Sequence, residues 1–180
     1  QGDWLVDQIT HLLSHVIQRV ERTSCSFFAL IEGDSCFGGT MLELAPACDR
    51  QYMLDEDGIE VQRSPINEGI LPMTTGITRQ ACRLLGEVEL LESCLGKFDR
   101  MDASEAEEMG LITEALDEFD YEDMVPVAID ERVSLSPDSL TGMEANLRFS
   151  GPENTKSKVF GRLSAWQNWI FIRPNATGPN

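Results

Sequence analysis

The sequence predicts an α/β fold in which helices cover a small sheet. Two short apolar runs, at residues 27–31 and 49–54, have the length of buried strands. Around them, apolar residues recur three and four positions apart, as they do on one face of a helix. Strand and helix signals that alternate along a chain are typical of α/β domains.

The N-terminal segment predicts an amphipathic helix. Its apolar residues run from Trp4 to Val20 at helical spacing, and Asp3 is a suitable N-cap. His11 and His15 lie four positions apart on this helix, a spacing that metal ligands can use. No carboxylate or thiol motif completes such a site, so we interpret the two histidines as solvated or core-edge side chains.

The stretch from residue 27 to residue 54 predicts a strand, a glycine turn, a helix and a second strand. Gly38 and Gly39 allow a tight turn that a ligand can approach closely. A helix over residues 37–48 is predicted from a shared apolar face, formed by Phe37, Met41, Leu44, Ala45 and Cys48. The N–H groups at the start of such a helix can hold a phosphate or the oxygen of a polarised carbonyl. The alternative is that the strand, turn and helix serve packing alone.

Shorter elements are predicted downstream. A hairpin turn at residues 55–58 leads to a strand at 59–62, and an irregular loop follows to residue 72. Helices are predicted at 74–85, 87–95 and 103–109, with a short strand at 111–113. Residues 114–130 are acidic and form either a linker or an exposed helix. Two last helices are predicted, one from an N-cap at Ser136 to about residue 149 and one over 155–171, ended by Arg173 and Pro174.

Composition excludes several classes of partner. The chain carries 14 Lys and Arg against 31 Asp and Glu, a net charge of −17, which argues against nucleic acid and anionic membranes. No apolar run approaches the roughly 18 residues of a membrane span. The five cysteines are odd in number and form no CxxC pair, so we expect reduced thiols in a cytoplasmic protein. Because the first residue is Gln1 rather than Met, we also expect either a piece of a longer protein or a processed chain.

Three segments resemble the crotonase (enoyl-CoA hydratase) superfamily. GGTMLELAPACD resembles the family's GGG-x-E-L-A-x-x-C-D segment, and residues 63–72 resemble QPEIxLGxxP, matched on Gly69 and Pro72. Residues 96–111 resemble TGDRISAQDAKQAGL, so the likeness covers roughly residues 15–114. The resemblance implies a partial crotonase-like (ClpP/crotonase) spiral core over residues 1–114, without the N-terminal half of the fold. A C-terminal helical region over residues 115–180 would follow.

The same resemblance implies an oxyanion hole. In this family a glycine N–H of the GGG turn forms half of the hole that binds an acyl-CoA thioester. The candidate catalytic residues are Glu43, Gly39 and Thr40, and Glu43 is either an acid/base residue or a solvated helix glutamate. The candidate substrate-binding residues are Gly38, Cys36 and Glu68. Cys36 either lines the pocket or acts as a nucleophile, and Glu68 is a second carboxylate one residue before Gly69. Two positions depart from the family: Thr40 replaces the third glycine, and Pro65 stands where hydratases carry a second glutamate. Because a simple hydratase needs two carboxylates to place and protonate water, ordinary enoyl-CoA hydration is not expected.

The C-terminal segments show a resemblance to one type of enzyme within this superfamily. The segments SLSPDSLTGMEANLRFSGPE and FGRLSAWQNWIFIRPNATG resemble the C-terminal part of a ring-opening lyase of this superfamily that acts in aerobic benzoyl-CoA degradation. This implies that water opens 2,3-epoxybenzoyl-CoA to 3,4-dehydroadipyl-CoA semialdehyde and formate. CoA is part of that substrate, and neither a separate cofactor nor a metal is expected. Relatives in the family are oligomers, so we expect a homodimer.

Three functions stay open from the sequence. The first is a CoA-thioester lyase or a fragment of one, which the glycine turn and Glu43 favour. The second is a non-catalytic crotonase-like half that builds a dimer interface or supports a separate catalytic domain. The absent N-terminal half and the lost second glutamate favour this second function. The third is an acidic helical interaction module, which only the charge favours.

Overall fold

Two small sheets form the centre of the molecule. The computed structural model describes residues 2–147 and 153–177. The first sheet is parallel and has the order β1-β2-β5, with strands Phe28–Ile31, Arg50–Leu54 and Glu114–Leu116. The second is an antiparallel pair of β3 (Val61–Gln62) and β4 (Arg100–Met101). The predicted α/β class and the strands at 27–31 and 49–54 are confirmed.

Two strand predictions are wrong because the strands pair with partners that lie far away in the sequence. The turn at residues 55–58 does not close a hairpin, since β2 is paired with β1 and β5 while β3 pairs with β4. The strand predicted at residues 111–113 lies at β5 instead. Leu111 and Ile112 are buried in the core next to it. The division predicted at residue 114 stays a prediction, and β5 spans it.

Helices α1 to α4 surround the sheets. Their bounds are Trp4–Glu21, Arg79–Arg83, Val88–Cys94 and Ala103–Glu108. The predicted N-cap of α1 is confirmed, because the Asp3 side chain accepts a hydrogen bond of 2.9 Å from the Leu5 N–H. Helix α2 is shorter than the predicted 74–85, since a turn with Gly76 at φ +84° precedes the Thr78 N-cap.

The helix predicted over residues 37–48 is absent, and this prediction is wrong. Only a single 3-10 turn, Leu42–Leu44, forms there. Gly39 has a left-handed φ of +51°, and its N–H bonds across to the Gln62 carbonyl at 2.9 Å rather than back along a helix. Pro46 has no N–H to continue a ladder. The apolar residues of this stretch therefore lie on consecutive turns rather than on one face of a helix.

The C-terminal part is helical. Helices α5 to α9 have the bounds Glu118–Ser134, Pro137–Leu147, Thr155–Lys158, Ser164–Ile170 and Pro174–Thr177. The acidic stretch is thus a helix, and Ser136 caps α6 as predicted, because its Oγ accepts from the Ser139 N–H at 3.1 Å. A π-helical turn, Val159–Leu163, joins α7 to α8. Contrary to prediction, helix resumes after Arg173, and the predicted end of α6 near residue 149 lies outside the described residues.

The core consists of three clusters of buried side chains. The largest lies between the two sheets and α4 and includes Ile31, Met53 and Val61. A second cluster, Ile17, Ala47 and Leu71, packs α1 against the segment that follows the 3-10 turn. A third, built on Tyr52, Leu116 and Val125, holds α5 on the parallel sheet. The second cluster matters for function because it fixes α1 close to the glycine turn.

Several features bear on the expected partners. All five cysteines are free thiols. Within residues 2–147 and 153–177, none of the helices combines the length and the apolar character needed to cross a membrane. The same residues hold no group of three or more His, Cys, Asp or Glu side chains placed to bind a metal ion. His11 and His15 are exposed on α1.

Candidate active site

The glycine turn follows the carboxyl end of β1. The Gly38 N–H donates to the Cys36 carbonyl at 2.9 Å, and the Gly39 N–H donates to the Gln62 carbonyl at 2.9 Å. Both glycine N–H groups are therefore engaged inside the protein. This geometry does not favour Gly39 as the oxyanion donor, and its predicted catalytic role stays a prediction. The expected helix dipole is also missing, because no helix starts here.

The next peptide offers a different donor. The Gly39 carbonyl accepts hydrogen bonds from Asn67 Nδ2 at 2.9 Å and from the Leu42 N–H at 3.1 Å. In a trans peptide the C=O of one residue and the N–H of the next point in opposite directions. The Thr40 N–H is therefore aimed away from Asn67, and it has no hydrogen-bond acceptor among the described residues. Thr40 is half-buried, so this N–H is the donor that the turn can present to a ligand.

Glu43 lies behind the turn and is 6% exposed. Its Oε1 accepts from Asn67 Nδ2 at 2.8 Å, and its Oε2 is paired with the Arg79 guanidinium at 2.6 Å. Arg79 is 3% exposed and also pairs with Glu21 at the end of α1. It donates in addition to the Leu71 carbonyl at 2.6 Å. One buried cation thus joins α1, α2 and the glycine turn.

Two carboxylates, those of Glu21 and Glu43, share the Arg79 guanidinium, and opposing effects act on the pKa of Glu21. Burial raises the pKa of Glu21 above its ordinary value, while the charge of Arg79 and a hydrogen bond from it act in the opposite direction. Glu43 adds a repulsion that acts with burial on the Glu21 pKa. The triad Glu21–Arg79–Glu43 is therefore an interior charge network with one more carboxylate than cation.

These contacts bear on the predicted proton transfer by Glu43. Both of its oxygens already accept hydrogen bonds from buried partners. The guanidinium compensates its negative charge and, together with the Asn67 amide, holds the carboxylate in place. The acid/base role stays a prediction, but this geometry favours a role in positioning.

Cys36 and Gly38 line an open cleft of about 310 Å³ beside the turn. The cleft lies between the β1 end and β3, and its lining includes Glu32, Gln62 and Arg100. Cys36 is exposed, and no histidine is among the lining residues that could activate its thiol. The predicted substrate-lining role of Cys36 and Gly38 is thus geometrically open, and it stays a prediction.

Glu68 is placed elsewhere. Its Oε1 accepts from the Gly96 N–H at 2.6 Å and lies 3.9 Å from the Arg63 guanidinium. These contacts tie the loop after β3 to the end of α3. Glu68 is not among the residues that line the cleft, and its side chain contacts Gly96 and Arg63 rather than the glycine turn. Its predicted substrate-binding role stays a prediction.

Sequence reasoning missed three residues of this site: Asn67, Arg79 and Glu21. Each is polar and buried or nearly so, yet none stands at a position that the family segments specify; Asn67 falls at the variable position of the segment at residues 63–72. Asn67 is the end of a 3-10 turn, Pro65–Asn67, whose capping box with Ser64 is visible in the sequence as a local turn signal only. A helix-starting arginine such as Arg79 gives no sign of burial by itself.

Comparison with known proteins identifies the fold. No family model matches the chain. Benzoyl-CoA-dihydrodiol lyase from Aromatoleum evansii is 45% identical over all of this chain, which spans 33% of the length of that curated relative. The described fold matches human enoyl coenzyme A hydratase domain-containing protein 3, with a TM-score of 0.72, 16% identity, and coverage of 98% of this chain and 67% of that one.

Two further structures agree. An enoyl-CoA hydratase/isomerase from Cupriavidus metallidurans gives a TM-score of 0.70 at 18% identity, covering 96% of this chain and 63% of that one. A putative enoyl-CoA hydratase from Thermobifida fusca, in complex with acetoacetyl-CoA, gives 0.69 at 18% identity, covering 94% and 64%. The resemblance stated from the sequence is confirmed. This chain has a partial crotonase fold and is similar, along its whole length, to one third of a benzoyl-CoA-dihydrodiol lyase.

Proposed function

We propose that the protein carrying this chain is a CoA-thioester lyase, and that this chain supplies an oxyanion donor for it. The observation that carries the proposal is the Thr40 N–H, which is unpaired among the described residues and fixed in direction by the bonds to the Gly39 carbonyl. The 45% identity to a benzoyl-CoA-dihydrodiol lyase supports the class of reaction.

The Thr40 N–H acts on the carbonyl oxygen of the bound thioester. That oxygen gathers negative charge when the acyl group is attacked or deprotonated, and a fixed donor stabilises the charge as it develops. Loss of one such donor typically lowers the rate by about 10²–10³-fold. Gly38, which has no side chain, and Cys36 precede Thr40 in the chain and line an open cleft. In this proposal the acyl group enters by that cleft.

The substrate we propose is 2,3-epoxybenzoyl-CoA, and its ring opening consumes two molecules of water to give 3,4-dehydroadipyl-CoA semialdehyde and formate. The thioester carbonyl is conjugated to the ring, so electrons displaced by attack on the ring reach the thioester oxygen. A donor at that oxygen therefore lowers the barrier to ring opening without a separate cofactor. The second glutamate that hydratases use is absent at Pro65, which fits a ring-opening reaction better than hydration.

A second candidate function is a non-catalytic half that forms an interface. The outward face of α1 carries exposed apolar side chains, with Trp4 73% and Leu12 66% exposed. Phe160 and Ile172 are similarly exposed on the C-terminal part of the chain. Such surfaces are typical of contacts with another chain or domain. We therefore also propose that the protein self-associates as a homodimer.

We further propose a cytoplasmic location for the protein. All five cysteines are free thiols, which is the usual state of cysteine in a reducing compartment.

Calorimetry with benzoyl-CoA, a thioester without the epoxide, tests the proposed function. Gly39→Val is expected to abolish binding, because a Cβ there lies 3.2 Å from Ser64 Oγ and φ is +51°. Gly161→Val is the matched control, since a Cβ at Gly161 meets nothing within 4 Å. Binding by the parent and by Gly161→Val, with loss in Gly39→Val, supports the proposal. Absence of binding by the parent, or equal affinity in all three proteins, contradicts it.

A further inference from the structure

We propose that Asn67 is a positioning residue that fixes the Gly39–Thr40 peptide, and that Glu43, Arg79 and Glu21 hold Asn67 in place. The inference rests on the proposed function, in which the Thr40 N–H is the oxyanion donor. It assigns Glu43 a positioning role through Asn67. None of these side chains needs to touch the substrate.

The Asn67 side chain is fully engaged. It is 7% exposed, and its Nδ2 donates to the Gly39 carbonyl at 2.9 Å and to Glu43 Oε1 at 2.8 Å. Its Oδ1 accepts from the Ser64 N–H at 2.8 Å. Because Nδ2 faces two acceptors and Oδ1 faces a donor, only one orientation of the amide satisfies the site. The side chain therefore links the loop after β3 to the glycine turn in one fixed orientation.

Glu43 fixes the orientation of the Asn67 amide. An ionised carboxylate only accepts hydrogen bonds, so it requires the amide N–H₂ of Asn67 on its side. Arg79 holds that carboxylate at 2.6 Å and is itself anchored by Glu21 and by the Leu71 carbonyl at 2.6 Å. The chain of contacts thus runs from α1 to the Gly39 carbonyl. The links from Arg79 to Glu43 and from Glu43 to Asn67 are buried, where hydrogen bonds to charged groups are strong, and the last link, to the Gly39 carbonyl, is partly buried.

Removal of Asn67 should loosen one peptide rather than unfold the site. In Asn67→Ala the Gly39 carbonyl keeps only its bond from the Leu42 N–H, so the peptide plane can rotate and the Thr40 N–H loses its fixed direction. Complete loss of an oxyanion donor costs about 10²–10³ in rate, and a misaligned donor costs less. We expect kcat to fall about 10- to 100-fold with KM changed by less than about threefold.

The matched control is Gln80→Ala. Gln80 is also a buried amide, and its Nε2 donates to a backbone carbonyl, that of Met109, at 3.1 Å. Its loss removes one buried amide–carbonyl bond that does not involve the glycine turn. If Asn67→Ala does not give a dispersed spectrum, Asn67→Ser, which is polar but too short to reach the Gly39 carbonyl, replaces it.

Two readouts keep this inference separate from the proposed function. The first is the ¹³C′ shift of Gly39 and the amide shift of Thr40 in the ligand-free protein, which should move in Asn67→Ala and stay in Gln80→Ala. The second is turnover of 2,3-epoxybenzoyl-CoA by the purified protein, which should fall only in Asn67→Ala. Moved shifts together with reduced kcat support the inference.

Unchanged Gly39 and Thr40 shifts in Asn67→Ala overturn it, whatever the activity. Moved shifts with parental kcat overturn it as well, since the peptide would then move without consequence. If the parent protein shows no turnover but the shifts move, the proposed function fails while Asn67 is established as the residue that orients this peptide.

Discussion

Replacement of Arg79 by Met should expose how much the buried charge network contributes to stability. The change keeps the length of the side chain and removes the cation that lies between Glu21 and Glu43. Glu43 then stays in the interior without its positive partner, Glu21 keeps only the smaller attraction of Arg22, and the Leu71 carbonyl loses a donor.

The expected loss is large compared with the stability of a domain. Removal of one partner from a buried ion pair costs about 3–5 kcal/mol, because the remaining charge is uncompensated. A domain has about 5–15 kcal/mol in total. For 150–250 residues each kcal/mol lowers Tm by roughly 2–4 °C, so Arg79→Met should lower Tm by roughly 6–20 °C.

Urea unfolding followed by circular dichroism measures this loss, with Arg100→Met as the matched control. Arg100 pairs with Glu60 at 3.0 Å, but its side chain is 71% exposed, so its removal should cost no more than about 1 kcal/mol. The Arg79→Met deficit should also shrink as the pH is lowered toward about 5, because Glu21, whose pKa burial raises, then becomes protonated and loses its buried charge. Equal deficits in the two variants, or a deficit independent of pH, would refute the reasoning.

Three further predictions concern Glu21, Cys48 and assembly. Burial raises the folded-state pKa of Glu21 above 4.5, so the charge of Glu21 lowers stability as the pH rises above that value. The free energy of unfolding of Glu21→Gln, measured by urea titration, should therefore increase relative to that of the parent between pH 4 and pH 7. A difference that stays constant with pH would contradict this. Burial and Asp49 raise the pKa of Cys48 to about 11, so iodoacetamide at pH 8 should alkylate it more slowly than the exposed Cys36, as followed by mass spectrometry, and equal rates would count against the burial of this thiol. Sedimentation at micromolar concentration should show a species larger than the 20.1 kDa monomer, because apolar side chains of α1 are exposed; a single monomeric species would argue against self-association.

The sequence predicts those parts of the fold that local signals control. Helix α1 begins at Asp3 and α4 ends before Gly110, because caps act over a few residues. The helix over residues 37–48 could not be excluded locally, since the bond that prevents it joins the Gly39 N–H to the distant Gln62 carbonyl. Strand β5 was misplaced by three residues for a similar reason: its register is set by pairing with β2.

The candidate site divides in the same way. Thr40 and Glu43 stand in a motif that the sequence displays. Asn67 lies 24 positions from Glu43, and Arg79 lies 36 positions from it, so nothing local links them. The interpretation of Glu68 as a second carboxylate at the site rested on its position before Gly69, whereas its contacts are to α3. Tertiary contacts therefore decide which polar residues serve the turn.

The most direct test of the central claim is a ¹H–¹⁵N titration of the protein with benzoyl-CoA. If the Thr40 N–H binds the thioester oxygen, its amide proton should move downfield and saturate with the ligand. The Gly39 amide, which already donates to the Gln62 carbonyl, should move far less. A saturating shift of Gly39 with Thr40 unmoved, or no shift of either amide at saturating ligand, would contradict the assignment of the oxyanion donor to Thr40.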